Sequence, residues 1–233
     1  MTATRDRVEN VLATLERRGT KHTRDGYARY GITVTKAFGV PVATIQHIAR
    51  GIGRDHELAV ALWDTEWYEA RMLTAFIDEP AQVTAAQMDR WARDFDNWAI
   101  CDTLCFHLFD RTPHAWRKVT QWSGRRGEFV KRSAFALLAS LSLHDKTSPD
   151  KPFLHGLRII EREATDERNF VRKAVSWALR TTGRRNKALN AASVETARRL
   201  AESSDAVARS TGKEALRELT SPAVARRLET TRR

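Results

Sequence analysis

The sequence predicts an all-α fold: a solenoid of HEAT-like repeats, in which antiparallel helix pairs stack and present a concave, basic face. Only 6 prolines and 11 glycines interrupt the 233 residues, and most of them fall between periodic segments. No segment shows the alternation of apolar and polar residues that a half-buried strand requires. Because the helical segments pair up over roughly 40 residues, we expect one helical-repeat domain spanning residues 1–233.

Apolar residues recur with helical periodicity along nearly the whole chain. The acidic residues Asp166 and Asp205 each precede such a segment and suit the N-cap position of a helix. The expected helices cover about 5–18, 24–30, 41–52, 55–64, 67–77, 84–94, 95–109, 112–123, 127–143, 151–164, 167–183, 187–202, 205–219 and 222–230.

The composition is that of a soluble globular protein, with 42% hydrophobic and 30% charged residues. No apolar run approaches the length of a membrane span, and the N-terminal segment lacks the apolar core of a secretory signal. Cys101 and Cys105 lie one turn apart on an expected helix, where a disulfide is geometrically unfavourable. We therefore expect a cytoplasmic protein without a metal site, since a zinc ion would need more ligands.

The formal net charge of +11 is distributed unevenly. Residues 1–100 hold 13 Lys/Arg and 14 Asp/Glu, whereas residues 111–187 hold 18 Lys/Arg and 7 Asp/Glu. This basic block lies within the helical part of the chain, not in a tail. It favours a polyanionic partner, most simply nucleic acid, over the alternative of a solvated basic surface.

The segment FDNWAICDTLCFHLF places a carboxylate among aromatic residues. At helical spacing, Phe95, Trp98, Asp102, Cys105 and Phe109 form one stripe. A carboxylate in such a stripe is costly to desolvate unless it has a partner or a chemical role. Two interpretations follow: Asp102 caps or salt-bridges a neighbouring helix, or it faces a cationic substrate between aromatic walls.

The segment NFVRKAVSWALRTTGRR carries a tryptophan on the cationic side of its expected helix. Trp177 lies among Lys173, Arg180 and Arg184, a position that suits stacking against nucleic acid better than core packing. The apolar face of the same helix consists of Val171, Ala174, Val175, Ala178 and Leu179.

Two further segments supply candidate DNA contacts. Arg132 falls outside the core stripe of FVKRSAFALL, among small neighbours, where it either grips a phosphate or lies over apolar surface. We add its neighbour Lys131 to the expected DNA-binding residues. Tyr27 and Tyr30 offer a stacking or hydrogen-bonding edge, although packing against the next helix is the ordinary outcome for at least one of them.

In the order and spacing of its segments, the chain resembles the AlkD-like DNA glycosylases, the DNA alkylation repair family built from HEAT-like repeats. The region ITVTKAFGVP matches the family pattern only in part. The resembling segments are YARYGI…FGVP, ELAVALWDTEWYEARMLTAFI, DNWAICDTL, FVKRSAFALL, NFVRKAVSWALRTTGRRN and SSDAVARSTGKEALREL.

The resemblance implies roles for individual residues. It places the family's catalytic Trp and Asp at Trp98 and Asp102, and its second DNA-facing Trp at Trp177. The phosphate-gripping Arg corresponds to Arg132 and the N-terminal Tyr to Tyr30. The aspartate would stabilise an oxocarbenium-like sugar and position a water molecule.

The implied activity is base excision repair of alkylation damage, by hydrolysis of the N-glycosidic bond of cationic N3- and N7-alkylpurines. The resemblance implies no cofactor, and the expected partner is double-stranded DNA bound by a monomer, with no membrane. Two alternatives remain open: a non-catalytic protein that binds distorted or branched DNA, and a protein-interaction scaffold, for which HEAT arrays are often used.

Overall fold

The computed structural model describes residues 2–230, and all regular elements in that range are helices, as predicted. The chain forms two compact units, Met1–Pro113 and His114–Arg233, which we call the first and second units. None of the described helices combines the length and the apolar character needed to cross a membrane. The assignment of residues 1–233 to one domain stays a prediction.

In the first unit, α5 occupies the centre and packs against α3, α4 and α7. The helix predicted over 24–30 is a short α2 followed by a 3-10 turn. The elements are α1 (Thr2–Arg18), α2 (Lys21–Gly26), α3 (Val42–Ile52), α4 (His56–Trp63), α5 (Tyr68–Ile77), α6 (Ala85–Arg93) and α7 (Trp98–His107), with 3-10 turns at Tyr27–Tyr30 and Phe109–Arg111.

An aromatic cluster fills the core between α4, α6 and the ends of α7. Trp63 stacks on Trp91 with ring centroids 4.3 Å apart, and Phe95 meets the Trp63 ring edge-on. Phe109 is fully buried beside Trp91 and Phe95. The helix expected over 95–109 is shorter in the structure, Trp98–His107. Of the two interpretations of Asp102, the one with aromatic walls loses Phe95 and Phe109, because both rings belong to the core.

The second unit consists of two layers of helices. In one layer α9, α11 and α13 pack in succession, and in the other α10 packs against α8 and α12. The elements are α8 (Ala115–Ser123), α9 (Glu128–His144), α10 (Asp150–Glu163), α11 (Asn169–Gly183), α12 (Lys187–Ala201), α13 (Ala206–Leu219) and α14 (Pro222–Thr230).

Hydrogen bonds between residues 38 positions apart connect successive repeats of the second unit. Arg132 on α9 donates to the backbone carbonyl of Phe170 on α11 at 2.7 Å. Arg180 on α11 donates to the carboxylate of Glu218 on α13 at 2.8 Å. The same separation at two successive interfaces defines the repeat and agrees with the predicted length of roughly 40 residues per helix pair.

One of the two expected helix caps is confirmed. The carboxylate of Asp205 accepts the backbone N–H of Ala208 at 2.8 Å and begins α13. The prediction for Asp166 is wrong, because α11 begins after Arg168. Asp166 instead accepts hydrogen bonds from the backbone N–H and the guanidinium of Arg168, since a bidentate Arg–carboxylate pair is stronger than a single cap.

Candidate nucleic-acid interface

A buried asparagine fixes the start of α7. The side-chain oxygen of Asn97 accepts the backbone N–H groups of Ala99 and Ile100 at 3.0 and 3.1 Å. Because this cap satisfies N–H groups that lack helical partners, the helix begins at Trp98. Trp98 and Asp102 therefore lie one turn apart in the first half of α7.

Trp98 is joined to a residue far away in sequence. Its indole Nε1 donates a hydrogen bond of 2.8 Å to the backbone carbonyl of Tyr30, at the end of the first 3-10 turn. Trp98 is half-buried, whereas 68% of Tyr30 is exposed. Within the first unit the structure thus brings together a predicted catalytic residue, Trp98, and a predicted DNA-binding residue, Tyr30. The hydrogen bond fixes the orientation of the indole ring.

Asp102 is half-buried, one turn beyond Trp98. Burial raises the pKa of the nearby Cys105 thiol, and Cys101 and the charges of Asp102 and Asp110 raise it further. A thiol in these surroundings stays protonated and is a poor nucleophile. Among residues 2–230, no three His, Cys, Asp or Glu side chains are grouped as ligands for a metal ion.

A buried carboxylate that the sequence reasoning missed holds the segment after Tyr30 in place. Glu69 on α5 accepts the backbone N–H groups of Phe38, Gly39 and Val40 at 3.0, 2.7 and 3.2 Å. It also accepts the Tyr27 hydroxyl at 3.0 Å. A signal was present, since Glu69 is the one acidic residue of the largely apolar helix YEARMLTAFI.

Of the two N-terminal tyrosines, Tyr27 is engaged within the protein. Besides its bond to Glu69, its ring packs against Tyr68 with centroids 5.0 Å apart. Burial raises the pKa of the Tyr27 hydroxyl, and the charge of Glu69 adds to this effect. Packing was the ordinary outcome expected for at least one of the pair, and Tyr30 is the one left exposed.

In the second unit, Trp177 is half-buried on α11 and Lys173, one turn before it, is exposed. The two arginines that follow are paired. Arg180 and Arg184 contact different carboxylate oxygens of Glu218 on α13. Glu218 thus partly neutralises the predicted cationic face of α11. Of its three predicted cations, Lys173 is the one that is exposed.

Lys131 and Arg132 lie in the interior of the second unit. The Lys131 Nζ is 2.6 Å from Glu163 and 2.8 Å from Asp166. Arg132 is only 6% exposed, and its guanidinium lies over the ring of Phe170 at 6.0 Å. A phosphate contact by either side chain would require exchange of these internal partners.

Exposed cations that the sequence reasoning did not single out adjoin the start of α9. Arg125 and Arg126 form the turn GRRG, whose last residue, Gly127, is the N-cap of α9 and offers no side-chain cap. Arg168, the N-cap of α11, donates to the Arg126 carbonyl at 2.6 Å. The N-termini of α9 and α11 thus lie beside two exposed arginines. Helix N-termini and arginines both attract anions, so this arrangement favours the binding of phosphate groups. The RR pair before an apolar helix was the available signal.

Comparisons with known proteins identify the family and the fold. The model of a family described as "DNA alkylation repair enzyme" matches residues 11–219. A solved structure matches with a TM-score of 0.73 and 20% identity over 91% of this chain and 95% of the other. It is described as "a new family of proteins related to the HEAT-like repeat DNA glycosylases with affinity for branched DNA structures". At this identity the likeness shows the HEAT-like fold. A search of curated proteins finds no match.

Proposed function

The chain belongs to the family of DNA alkylation repair enzymes, and we propose that it is a DNA glycosylase that releases N3- and N7-alkylated purines from duplex DNA. The observation that carries the proposal is the arrangement on α7, where the half-buried carboxylate of Asp102 follows Trp98 by one turn. Trp98 is in turn fixed by Tyr30. We further propose that the protein acts as a monomer in the cytoplasm.

To hydrolyse the N-glycosidic bond of a cationic alkylpurine, the protein needs only a negative charge near the sugar and a positioned water molecule. An N7- or N3-alkylated purine carries a positive charge, so its N-glycosidic bond is weakened and the departing base needs no proton. As the C1′–N bond breaks, the base leaves with the electron pair and positive charge develops on the deoxyribose. We propose that the Asp102 carboxylate stabilises this charge.

Water completes the reaction. Its oxygen bonds to C1′ while Asp102 accepts one of its protons, which is then lost to solvent. The products are the neutral alkylpurine and an abasic site. We propose that the Trp98 ring, oriented by its bond to the Tyr30 carbonyl, contacts the cationic sugar through its π-face. Trp177 offers a second half-exposed ring to the DNA from α11.

The second unit supplies the cations for the phosphate backbone. We propose that the exposed Lys173, Arg125 and Arg126 contact phosphates directly. The remaining candidates contribute through the positive potential of the unit and through the packing of α9, α11 and α13, because they are engaged by internal partners. These are Lys131, Arg132, Arg180 and Arg184.

A second candidate function is binding of branched DNA without catalysis. It is favoured by one observation, the affinity for branched DNA ascribed to the family of the similar structure. This function would use the same cations and would not need Asp102.

Base release from duplex DNA containing N7-methylguanine, with protein in excess, distinguishes the two. A glycosylase releases the base much faster than it departs spontaneously and leaves unmodified guanine in place. Release at the spontaneous rate, together with tighter binding to a four-way junction than to a linear duplex of the same length, would favour the binding function and contradict the proposal.

A further inference from the structure

A cavity of about 330 Å³ lies in the first unit between the end of α3, α5 and the end of α7. Its lining includes Gln46, Arg50 and Arg54 on one side, and Phe76 and His107 on the other. His107 is the last residue of α7, at the opposite end of the helix from Trp98 and roughly 13 Å from it along the axis. The proposed glycosylase chemistry uses none of these side chains.

One side of the cavity is cationic. Arg50 and Arg54 are exposed, and none of the described lining residues is an aspartate or a glutamate. Arg54 donates from one terminal nitrogen to the backbone carbonyl of Asp78, which orients its guanidinium and leaves its other N–H groups available. A lone arginine in the last turn of α3 could serve only the helix dipole. Arg54 lies beyond the end of that helix and faces the same space, so the pair suits an anion.

The other side is aromatic. The rings of Phe76 and His107 lie 4.8 Å apart at 46°, and both residues are half-buried. Such a surface favours a flat, weakly polar group in offset or tilted contact. The side-chain amide of Gln46, one turn before Arg50, adds one donor pair and one acceptor.

We propose that this cavity binds a nucleotide, with its phosphate on Arg50 and Arg54 and its base against Phe76 and His107. The volume is at the lower end of the range for small-molecule sites, roughly 300–1,000 Å³, and suits a mononucleotide. The nucleotide is either free or the phosphorylated end of a DNA strand, because both present the same phosphate and base.

Calorimetric titration of the intact protein tests the proposal with three probes: deoxyadenosine 5′-monophosphate, deoxyadenosine and inorganic phosphate. We expect the monophosphate to bind at least tenfold more tightly than either fragment. In R50Q/R54Q its affinity falls by about a hundredfold, towards that of deoxyadenosine, since each of the two charged hydrogen bonds contributes about tenfold. F76L weakens the monophosphate and deoxyadenosine together and leaves phosphate unchanged.

The matched control is R18Q, which removes an exposed arginine from the last turn of α1, far in sequence from the cavity. R50Q alone keeps the test valid if the double variant unfolds on loss of the Asp78 contact. Equal loss in R18Q and R50Q, or a monophosphate that binds no better than phosphate, overturns the proposal. With binding established, a strand end is identified if a 5′-phosphate tightens the binding of a DNA strand relative to the same strand without it and R50Q removes this difference. A 5′-phosphate without effect on strand binding identifies a free nucleotide.

Discussion

The two units differ in charge and in the spacing of their internal contacts. Met1–Pro113 holds 14 Lys/Arg and 16 Asp/Glu, whereas His114–Arg233 holds 26 and 13. In the first unit, hydrogen bonds join residues 31 apart, such as Trp63 with Asp94. In the second they join residues 38 apart, such as Arg180 with Glu218. The near-neutral unit carries Asp102 and the basic unit carries the cations, so we assign the chemistry to the first unit and the sequence-independent hold on DNA to the second.

The units also place their exposed residues by different means. In the first, a single buried carboxylate, Glu69, accepts three backbone N–H groups and thereby fixes residues 38–40. In the second, an ion-pair network of Lys131, Glu163 and Asp166 joins α9 to the end of α10 and to the segment that follows it. Removal of a key group from each unit should therefore have different consequences.

The largest effect should follow from Asp102→Asn. We expect single-turnover release of N7-methylguanine to fall by roughly a hundredfold or more, the scale of losing one electrostatic stabiliser, while DNA affinity and melting temperature stay unchanged. Asp6→Asn, at an exposed position on α1, is the control and should excise as fast as the parent. If Asp102→Asn keeps full activity, the first unit does not carry the chemistry in this way; if it unfolds, Asp102 is structural.

Glu69→Gln should show how strongly the first unit depends on one carboxylate. The amide replaces an acceptor oxygen with a donor facing N–H groups, so we expect a loss of about 2 kcal/mol in the free energy of unfolding. Urea denaturation followed by circular dichroism measures it. Glu66→Gln changes an exposed carboxylate nearby and should leave the midpoint unchanged. An equally small effect at Glu69 would show that the turn at 38–40 is held by other contacts.

Trp177→Ala tests whether the second unit binds DNA with a ring as well as with charge. We expect affinity for duplex DNA to fall by about tenfold, near the lower end of the roughly 1–3 kcal/mol that a ring contributes on an accessible base, because duplex bases are already stacked on one another. The buried Trp122 provides the contrast, because truncation there should cost roughly 3–5 kcal/mol of stability. A comparable loss of stability in Trp177→Ala would assign its ring to packing.

The smallest effects are expected on acidification, where one carboxylate from each unit should contribute to stability with opposite sign. Arg168, and then Lys131, hold the pKa of Asp166 well below its usual range. Its contribution to stability is therefore present above the unfolded pKa of about 3.9 and is lost as the pH falls towards the folded value. Burial raises the pKa of Asp78, although His56 opposes this shift. That contribution is present below about 3.9 and is lost as the pH rises.

Melting temperatures recorded between pH 6 and pH 3 measure the contributions of Asp166 and Asp78 to stability. Asp166→Asn should be less stable than the parent at pH 6 and should lose less on acidification. Asp78→Asn should lose more, because protonation of Asp78 no longer offsets the other losses. The same slope in both variants would mean that the two carboxylates do not differ as their surroundings indicate.

Much of the fold could be predicted because helical periodicity depends on which residues are apolar, and most segments keep that pattern. The repeat register could not be aligned from sequence, since the contacts that set it join polar groups such as the Arg132 guanidinium and the Phe170 carbonyl. Every residue has a backbone carbonyl, so nothing in the sequence marks Phe170 as the acceptor. For the same reason the burial of Arg132 could not be predicted.

The candidate site, too, could be predicted from the sequence only in part. Spacing alone placed Trp98 and Asp102 one turn apart. It failed for Phe95 and Phe109, because the Asn97 cap begins α7 after Phe95, and α7 ends at His107, before the 3-10 turn that contains Phe109. The bond between the Trp98 indole and the Tyr30 carbonyl spans 68 residues and again ends on a backbone group.

The proposal that the first unit carries the chemistry and the second unit binds DNA is tested most directly by the rate of N7-methylguanine release, measured as a function of protein concentration. The curve for each protein gives a maximal rate and a half-saturating concentration. We expect Asp102→Asn to lower only the maximal rate. Replacing Arg125, Arg126 and Lys173 with Gln should raise only the half-saturating concentration and flatten its dependence on log salt by about three units.

The control for the charge variant removes three exposed arginines of the first unit: Arg17, Arg18 and Arg93. It should leave both quantities and the salt dependence nearly unchanged. The assignment of chemistry to the first unit and of DNA binding to the second predicts this separation of rate from affinity. It is contradicted if the charge variant lowers the maximal rate as much as Asp102→Asn does, or if the control raises the half-saturating concentration equally.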